Sequence, residues 1–385
     1  MTTEDQLLPR ILIVDLSLRY GGSSARVLAL LGKIPPDRAA LAGLDQSAIT
    51  LRARELGLQV HGVGRSKVDP RIPGRLSRLI RENDFQLIDT QNVQSKLWGS
   101  LAAARTGAAL VSTLNSWYAV EHGANLKGRL YQFIELATNR SLDLYIAVSS
   151  EDRRRLHEAG ISEGAIALIP NAIEIDDASV SGDRAELLRS FDLPEHSVVC
   201  CAVGRLVWAK GYEVLIGAIA QIAQKHPHLY CLILGEGARR VDLETQIALA
   251  GLQGRLRLAG FRAPGETLSI VKACDLFVMP SHSEGTPVAL LEAAALGRPI
   301  LASQVGGIPD LVSDGEQALL VPPNDESALA AGLSRLIGDP EFAARLGAGA
   351  QRRVRREFSL QAQVDAAMQA YRKAWTRRQE RLARA

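Results

Sequence analysis

Two glutamates lie eight positions apart in the segment PSHSEGTPVALLEAAALGRPI, with Glu284 in a glycine-containing loop and Glu292 inside a predicted helix. Backbone N–H groups near Gly285, Thr286 and Pro287 stand at the start of that helix, where unpaired donors and the positive helix dipole suit a diphosphate. Pro287 cannot donate, but its fixed φ suits the first helical turn. Glu284 can accept hydrogen bonds from sugar hydroxyls, and Glu292, roughly 12 Å along the helix, can reach a ribose diol. The pair would then hold opposite ends of one ligand.

The same carboxylates allow two other interpretations. A pair that flanks one glycosidic bond, ~5 to 9.5 Å apart, is the arrangement of a glycosidase. Placement in series along one helix, beside phosphate donors, disfavours that interpretation. Two surface glutamates around an ordinary helix are the structural alternative, and the spacing alone does not exclude it.

A second segment, VGRLVWAKGYEVLI, carries two cations in one loop. Arg205 follows Gly204 just past a predicted strand, and Lys210 comes five residues later. A guanidinium and an ammonium suit a diphosphate leaving group, because its negative charge grows as a glycosidic bond breaks. They would act as the electrophilic catalyst in place of a metal. The alternative is an ordinary pair of solvated cations.

A glycine pair, Gly21 and Gly22, follows the first predicted strand. Because glycine has no side chain, backbone N–H groups can approach a phosphate or sugar there, although a glycine pair alone is a weak signal. A second glycine-containing turn, GEGARR, lacks the third glycine and the acidic residue of a dinucleotide fingerprint. The sequence therefore argues against NAD.

Short apolar strands alternate with helices along most of the chain. ILIVDLSL, FQLIDT, AALVSTL, DLYIAVSS and IALIPNAIEI predict strands of one domain, and SVVCCAVGRL, LYCLILGEG, LRLAGF, DLFVMPS and PILAS strands of another. This rhythm predicts an α/β protein with two doubly wound parallel sheets and a ligand crevice at the carboxyl ends of their strands. The acidic stretch 176–194 marks the boundary between domains 1–178 and 185–359, and the final helix, 360–385, has the apolar spacing to pack back on the first domain.

The composition agrees with two soluble domains. The chain has 385 residues, enough for two cores of roughly 150 to 200 residues each, and no apolar run approaches the ~20 residues of a membrane span. The polar start, MTTEDQLLPR, does not resemble a secretory signal. The four cysteines lack zinc or redox spacing and are expected to be buried thiols in a reducing cytoplasm.

The net charge of +3 does not indicate a nucleic-acid partner, but two stretches are strongly basic. One runs from Arg65 to Arg81 and the other from Arg352 to the C-terminus. They are either solvated helix faces or surfaces that attract an anionic membrane or a phosphate-bearing acceptor. The sequence does not decide between these possibilities, nor does it fix the oligomeric state.

Taken together, the motifs resemble the retaining glycosyltransferases of the GT-B fold, family 4, over nearly the whole chain. The E-x7-E pattern is matched by Glu284 and Glu292, and GR-x4-KG by 204–211. Further matches share the family's order and spacing, and they are PS-x2-EG-x-P at 280–287, LLEA at 290–293, G-x-P at 297–299, VGG-x-PD at 305–310, IPNAI at 169–173 and AVS at 147–149.

This resemblance implies two Rossmann-like domains facing a central cleft, with the nucleotide-sugar donor in the C-terminal domain and the acceptor in the N-terminal one. It implies a metal-independent transfer that retains the anomeric configuration and needs neither a cofactor nor a protein nucleophile. By analogy, Arg205 and Lys210 hold the diphosphate, Glu284 the donor sugar and Glu292 the ribose. Gly22 would hold the phosphate from across the cleft, and Phe261 and Arg262 would lie near the base.

One departure concerns the acceptor side. Many relatives carry histidines after the strands that correspond to FQLIDT and AALVSTL, where this chain has Asn92 and Asn115 nearby. An asparagine can form hydrogen bonds but cannot titrate near neutral pH, so a histidine-assisted step is in doubt. His122 could substitute in part, or be an ordinary surface histidine. Trp117 could stack on an acceptor sugar or lipid, or belong to the core.

The sequence thus predicts a cytoplasmic, peripherally membrane-associated glycosyltransferase that acts on a glycan, lipid-linked or small-molecule acceptor in surface polysaccharide or glycolipid synthesis. Two alternatives stay open. One is a nucleotide-sugar epimerase or hydrolase of the same fold, and the other is a non-catalytic subunit that binds a glycan or nucleotide sugar. The nucleotide base, the sugar and the linkage are not specified by the sequence.

Overall fold

The computed structural model describes residues 9–18, 20–115 and 138–384. The chain forms two compact units, one comprising Met1–Ala172 with Leu360–Ala385 and the other Ile173–Ser359. The division falls earlier than the predicted boundary, and residues 173–184 belong to the second unit. The reason is that the backbone N–H of Ile173 donates a hydrogen bond to the Phe358 carbonyl oxygen of the second unit, with an N···O distance of 3.1 Å. Asp177 is likewise held in that unit by Lys272, at 2.9 Å.

The first unit contains a seven-stranded parallel sheet in the order β3-β2-β1-β4-β5-β6-β7. Its inner strands are buried along their whole length and mostly apolar, as expected for a sheet covered on both faces. The strands are β1 Ile11–Asp15, β2 Ala39–Gly43, β3 Val60–Gly62, β4 Leu87–Thr90, β5 Ala109–Leu114, β6 Leu144–Ala147 and β7 Ile166–Leu168. The described helices are α1 Gly22–Lys33, α2 Ala48–Glu55, α3 Ile72–Glu82, α4 Val93–Thr106 and α5 Ser150–Glu158.

The second unit contains a six-stranded parallel sheet in the order β10-β9-β8-β11-β12-β13. The strands are β8 Val198–Val203, β9 Leu229–Leu234, β10 Leu256–Gly260, β11 Leu276–Met279, β12 Ile300–Ser303 and β13 Leu319–Val321. The helices are α6 Arg184–Ser190, α7 Tyr212–Ile222, α8 Arg240–Leu249, α9 Pro264–Ala273, α10 Val288–Ala295, α11 Ile308–Leu311, α12 Glu326–Gly338 and α13 Pro340–Glu357. The four cysteines are free thiols buried in this unit, as predicted.

The last helix, α14 (Leu360–Arg384), returns to the first unit. Val364, Ala367 and Tyr371 pack in the same core cluster as the strand residues Ile11 and Ile13. Basic side chains near its end donate to main-chain or carboxylate oxygens of the sheet's loops. These contacts are Arg377 to the Asp143 carbonyl, Arg378 to the Gly107 carbonyl and Arg381 to the Asp143 carboxylate.

Strand order reverses once in each sheet, between β1 and β4 in the first and between β8 and β11 in the second. In doubly wound sheets, loops diverge at the carboxyl ends of such strand pairs and leave a crevice that binds ligands. The second of these points positions the loops that carry Lys210 and Glu284. The first positions the loops that follow Asp15 and Thr90.

Candidate functional site

In the second unit, the structure brings Lys210 and Glu284 into contact. Lys210 lies in a single 3-10 turn after β8, and Glu284 lies in the loop after β11. The Lys210 Nζ is 2.7 Å from Glu284 Oε1, and the Ser281 hydroxyl donates to the same oxygen at 2.6 Å. Both charged side chains are largely removed from solvent, so the pair is stronger than a surface ion pair. Without ligand, the cation and the anion neutralise each other.

The backbone of the two loops fixes this contact. Gly211 has the left-handed φ of +62°, and a Cβ at this position would lie 2.0 Å from the Pro280 carbonyl oxygen. The N–H of His282 donates to the Ala209 carbonyl at 2.9 Å, and that of Ser283 to the same carbonyl at 3.3 Å. The glycine therefore permits a main-chain approach that sets Lys210 beside Glu284.

The loop after β12 supports Glu284 from another side. Gly306 has a φ of +55°, and a Cβ added there would collide with the Glu284 carbonyl oxygen at 1.7 Å. The next residue, Gly307, donates its N–H to the Gly285 carbonyl at 2.9 Å. The VGG motif thus acts as a packing surface for the Glu284 loop.

Glu292 lies within α10, which begins only at Val288 after Pro287 as N-cap. One turn of helix, and not two, therefore separates Glu292 from the start of α10, and Glu284 is outside the helix. Burial raises the pKa of the Glu292 carboxyl to about 7. Its side chain makes no hydrogen bond or ion pair with any residue in the described ranges, so the carboxyl is available to a ligand.

Three other predicted donor residues lie in the same unit. Arg205 is exposed at the start of the loop that follows β8. Phe261 follows the edge strand β10 and is 70% exposed, so its ring is available for stacking. The Arg262 guanidinium pairs with Glu266 at 2.7 Å and lies over the Phe191 ring. The role of both residues near the base stays a prediction.

A network not predicted from the sequence surrounds the Lys210 turn. The exposed Trp208 ring stacks on His282, with centroids 4.7 Å apart. His282 Nε2 is 2.7 Å from Glu213 Oε1, and Arg239 Nη1 is 2.5 Å from the other oxygen of Glu213. These side chains tie together the loops after β8, β9 and β11. Their signal in the sequence is weak, because the partners are far apart along the chain.

In the first unit, Gly21 is the N-cap of α1 and Gly22 its first residue. A Cβ added at Gly21 would have no described atom within 4 Å, so the main chain is open to a ligand there. Asn92 caps α4 by accepting from the Ser95 N–H, and its amide nitrogen donates to Asp15 Oδ1 at 3.0 Å. The Asn92 side-chain amide therefore already forms hydrogen bonds within the first unit, through both its oxygen and its nitrogen.

Asn115 lies after β5 and donates to the Gln91 carbonyl at 3.1 Å. Several buried polar atoms at this edge of the sheet have no hydrogen-bond partner. Among the described residues, the atoms without a partner there are Asp15 Oδ2, Ser24 Oγ, Asn115 Oδ1 and all three guanidinium nitrogens of Arg26. Buried polar groups are paired in most native proteins, so this concentration points to water or a polar ligand. Trp117 and His122, the other predicted acceptor residues, lie outside the described residues.

A buried polar group lies beside this edge. Asp89, in the middle of β4, accepts hydrogen bonds from the Thr113 hydroxyl at 2.9 Å and from the Tyr371 hydroxyl at 2.7 Å. Desolvation raises the pKa of Asp89 to about 6, although the nearby Arg26 charge opposes this rise. The Tyr371 contact fixes α14 to the centre of the sheet.

Across the described residues, no three histidine, cysteine, aspartate or glutamate side chains are grouped so as to hold a metal ion. None of the helices in that part of the chain is both long enough and apolar enough to cross a bilayer.

Comparison with known families accounts for most of the chain. Residues 42–177 match the model of Glycosyltransferase Family 4, and residues 183–353 match that of Glycosyl transferases group 1. The chain belongs to the group 1 glycosyltransferases of the GT-B fold. The resemblance to family 4 of the GT-B glycosyltransferases is confirmed, whereas the retaining mode stays a prediction.

Two curated relatives illustrate the range of this glycosyltransferase family. The chain is 32% identical to alpha-D-kanosaminyltransferase of Streptomyces kanamyceticus, over 50% of each chain. It is 29% identical to D-inositol 3-phosphate glycosyltransferase of Corynebacterium efficiens, over 65% of this chain and 61% of the relative. The chain thus spans about half to three fifths of the length of these relatives.

Solved structures share the fold of this chain. HepE of Anabaena in complex with UDP-glucose superposes with a TM-score of 0.82 at 23% identity, over 93% of this chain and 98% of HepE. Sucrose-phosphate synthase of Thermosynechococcus elongatus gives a TM-score of 0.77 at 22% identity, over 94% and 98%. The predicted GT-B fold, with its two Rossmann-like parallel-sheet domains, is confirmed.

Proposed function

We propose that this protein is a retaining glycosyltransferase that moves a sugar from a nucleotide diphosphate to a hydroxylated acceptor. The observation that carries the proposal is the contact between Lys210 and Glu284 at the carboxyl ends of β8 and β11. A cation and a carboxylate side by side suit the two parts of a sugar diphosphate, since one part is anionic and the other is rich in hydroxyls.

In the proposed reaction, Arg205 and Lys210 bind the diphosphate and stabilise the charge that develops when the bond to the sugar breaks. Glu284 accepts hydrogen bonds from the sugar hydroxyls and orients the ring. No protein nucleophile is assigned, because retention in this family is attributed to attack on the same face as the leaving phosphate. The two cations supply the electrophilic role, so the proposal needs no metal and no cofactor.

Glu292 is proposed to accept hydrogen bonds from the ribose diol. Its unpaired carboxyl supports this role, because a buried acceptor without a partner gains most from two hydroxyl donors. Phe261 is proposed to lie against the base. UDP-glucose is the first donor to test, since the structurally similar HepE was solved in complex with it.

The acceptor is proposed to bind at the carboxyl edge of the first sheet. Among the described residues, donors and acceptors without partners are mixed there, as a polyhydroxylated ring requires. Asn115 is proposed to contact the acceptor through its free Oδ1, whereas Asn92 would act by holding Asp15. One relative is named D-inositol 3-phosphate glycosyltransferase, which supports a small-molecule acceptor beside the glycan and lipid-linked ones.

We propose a cytoplasmic location with peripheral contact to an anionic membrane through the basic stretch Arg65–Arg81. The C-terminal arginines no longer support such contact, because Arg377, Arg378 and Arg381 hold α14 to the first unit. Arg65 and Arg78 are exposed and suit a membrane surface better. Flotation with anionic liposomes should fall when both are changed to glutamine, and unchanged flotation would contradict the proposal.

The deciding experiment is a thermal-shift panel of UDP, GDP, ADP and their glucose conjugates, because a ligand that binds only the native state raises stability. A shift with one nucleotide sugar that is lost in Glu292→Ala supports the donor site. Glu284→Gln and Lys210→Ala should then abolish transfer without unfolding the chain. Donor consumption without acceptor would favour a hydrolase or epimerase, and no shift with any compound would favour a non-catalytic subunit.

A further inference from the structure

Tyr212, the first residue of α7, has a buried hydroxyl that finds no hydrogen-bond partner in the part of the chain that the structure describes. The side chain is 2% exposed. Its hydroxyl lies against Gly204, where an added Cβ would be 2.9 Å from the tyrosine oxygen and 3.0 Å from Cε of Lys210. The hydroxyl is therefore next to the Lys210 side chain, at the centre of the proposed donor site.

Folding alone does not explain this hydroxyl. Phenylalanine would fill the same apolar core among Leu215, Ile233 and Val278 without an unpaired polar atom. A buried hydroxyl that lacks a partner costs roughly 1–3 kcal/mol. Retention of tyrosine is explained if the hydroxyl gains a partner in another state of the site.

The ion pair beside Tyr212 identifies that state. In the unliganded site, Lys210 occupies Oε1 of Glu284 at 2.7 Å. A bound diphosphate carries more negative charge than one carboxylate and attracts the Lys210 ammonium. Glu284, with a side chain only 8% exposed, would then lose its counterion without gaining water.

We propose that Tyr212 is a positioning residue of the donor site, whose hydroxyl donates to the Glu284 carboxylate when a bound diphosphate draws Lys210 away. Tyr212 would act through Glu284, holding the carboxylate ionised and oriented toward the donor sugar. Burial, together with the negative charge of Glu284, raises the pKa of Tyr212, so the phenol keeps the proton that it donates. The inference rests on the proposed assignment of Lys210 and Glu284 to the donor.

Tyr212→Phe tests the exchange, because it removes the hydroxyl alone. Binding is measured by isothermal titration with whichever of UDP-, GDP- and ADP-glucose the wild type binds. We expect roughly tenfold weaker binding, the effect of one hydrogen bond to a charged group. The unfolding temperature should stay the same or rise. In the matched control Tyr371→Phe, which removes a paired hydroxyl in the other unit, stability should fall and donor affinity should not change.

A double-mutant cycle then separates positioning from packing. If Tyr212 acts through the Glu284 charge, Tyr212→Phe should have no further effect on donor affinity in a Glu284→Gln background. Equal donor affinity of wild type and Tyr212→Phe would overturn the inference while leaving the donor site intact. A Tyr212→Phe variant that is less stable or fails to fold would also overturn it, since the hydroxyl would then be paired without ligand. If the wild type binds no compound of the panel, the proposed function fails and the inference with it.

Discussion

Replacement of Gly211 by alanine is the most informative test of how the second unit positions its charged pair. Gly211 combines a left-handed φ of +62° with a close approach to the Pro280 carbonyl. Gly251, in the same unit, has a φ of +66° and no atom within 4 Å of an added Cβ. The two glycines therefore share the backbone cost of alanine and differ only in the collision.

The expected magnitudes follow from these distances. Left-handed backbone costs alanine roughly 1–2 kcal/mol in either variant. In Gly211→Ala the Cβ would start 2.0 Å from the carbonyl oxygen, so the Pro280 loop must move by about 1 Å to reach the shortest contact seen in proteins. Such a shift moves the Glu284 loop relative to the Lys210 turn, so that the two side chains can no longer contact the sugar and the diphosphate of one donor together, and the donor loses a hydrogen bond. Loss of one hydrogen bond to a charged group corresponds to roughly 10- to 100-fold in affinity.

The assay compares both variants with the wild type by calorimetric titration with the nucleotide sugar that binds, and by thermal unfolding. Both variants should unfold at lower temperature, with the larger loss in Gly211→Ala. Only Gly211→Ala should lose donor affinity. Equal donor affinity in the two variants, or a donor affinity of Gly211→Ala equal to that of the wild type, would refute the claim that this glycine sets the position of Lys210.

Three further predictions concern single side chains. Because burial raises the pKa of folded Glu292 from 4.5 to about 7, the native state binds more protons than the unfolded state between these values, and its stability falls as pH rises through that window. Glu292→Gln should lack this dependence on pH. Between about pH 5 and about pH 8, the free energy of unfolding of the variant, measured with urea, should therefore rise by up to about 3 kcal/mol relative to that of the wild type. UDP-glucose has no ionisation near neutral pH. The affinity of the wild type for it should rise from about pH 6 to about pH 8, because the carboxylate is a better hydrogen-bond acceptor than the carboxylic acid, and the affinity of Glu292→Gln should not change over this range. Arg381→Gln should lower the unfolding temperature by leaving the buried Asp143 carboxylate without its cation, while liposome flotation stays unchanged.

The strands that sequence reasoning located are those with continuous β-branched or large apolar residues, such as β1 and β8. It assigned no strand to β2, whose sequence AALAG lacks such residues. That segment is a strand because it pairs with β1 along all five positions, which is a tertiary effect. The predicted strand IALIPNAIEI is shortened to β7 because Pro170 has no N–H for the ladder.

Sequence reasoning reached the charged residues of the site through motif spacing, but not the side chains that hold them. Glu213 and His282 meet across a hydrogen bond of 2.7 Å while far apart along the chain. No local pattern predicts such a pair, because it depends on which strands become neighbours in the sheet. Arg262, whose motif position predicts a place near the base, also pairs with Glu266 four residues later.

The two units prepare their polar groups in opposite ways. The proposed donor side of the second unit is self-paired, because Lys210 and Glu284 satisfy each other in the absence of a ligand. The proposed acceptor edge of the first unit keeps buried atoms such as Ser24 Oγ and Asn115 Oδ1 without a hydrogen-bond partner among the described residues. Each unpaired group costs roughly 1–3 kcal/mol, whereas a paired one must first be separated before it can bind. A polyol that fills the acceptor edge should therefore stabilise the first unit with little opposing cost, while donor binding must overcome an existing ion pair and gains its affinity from the diphosphate charge.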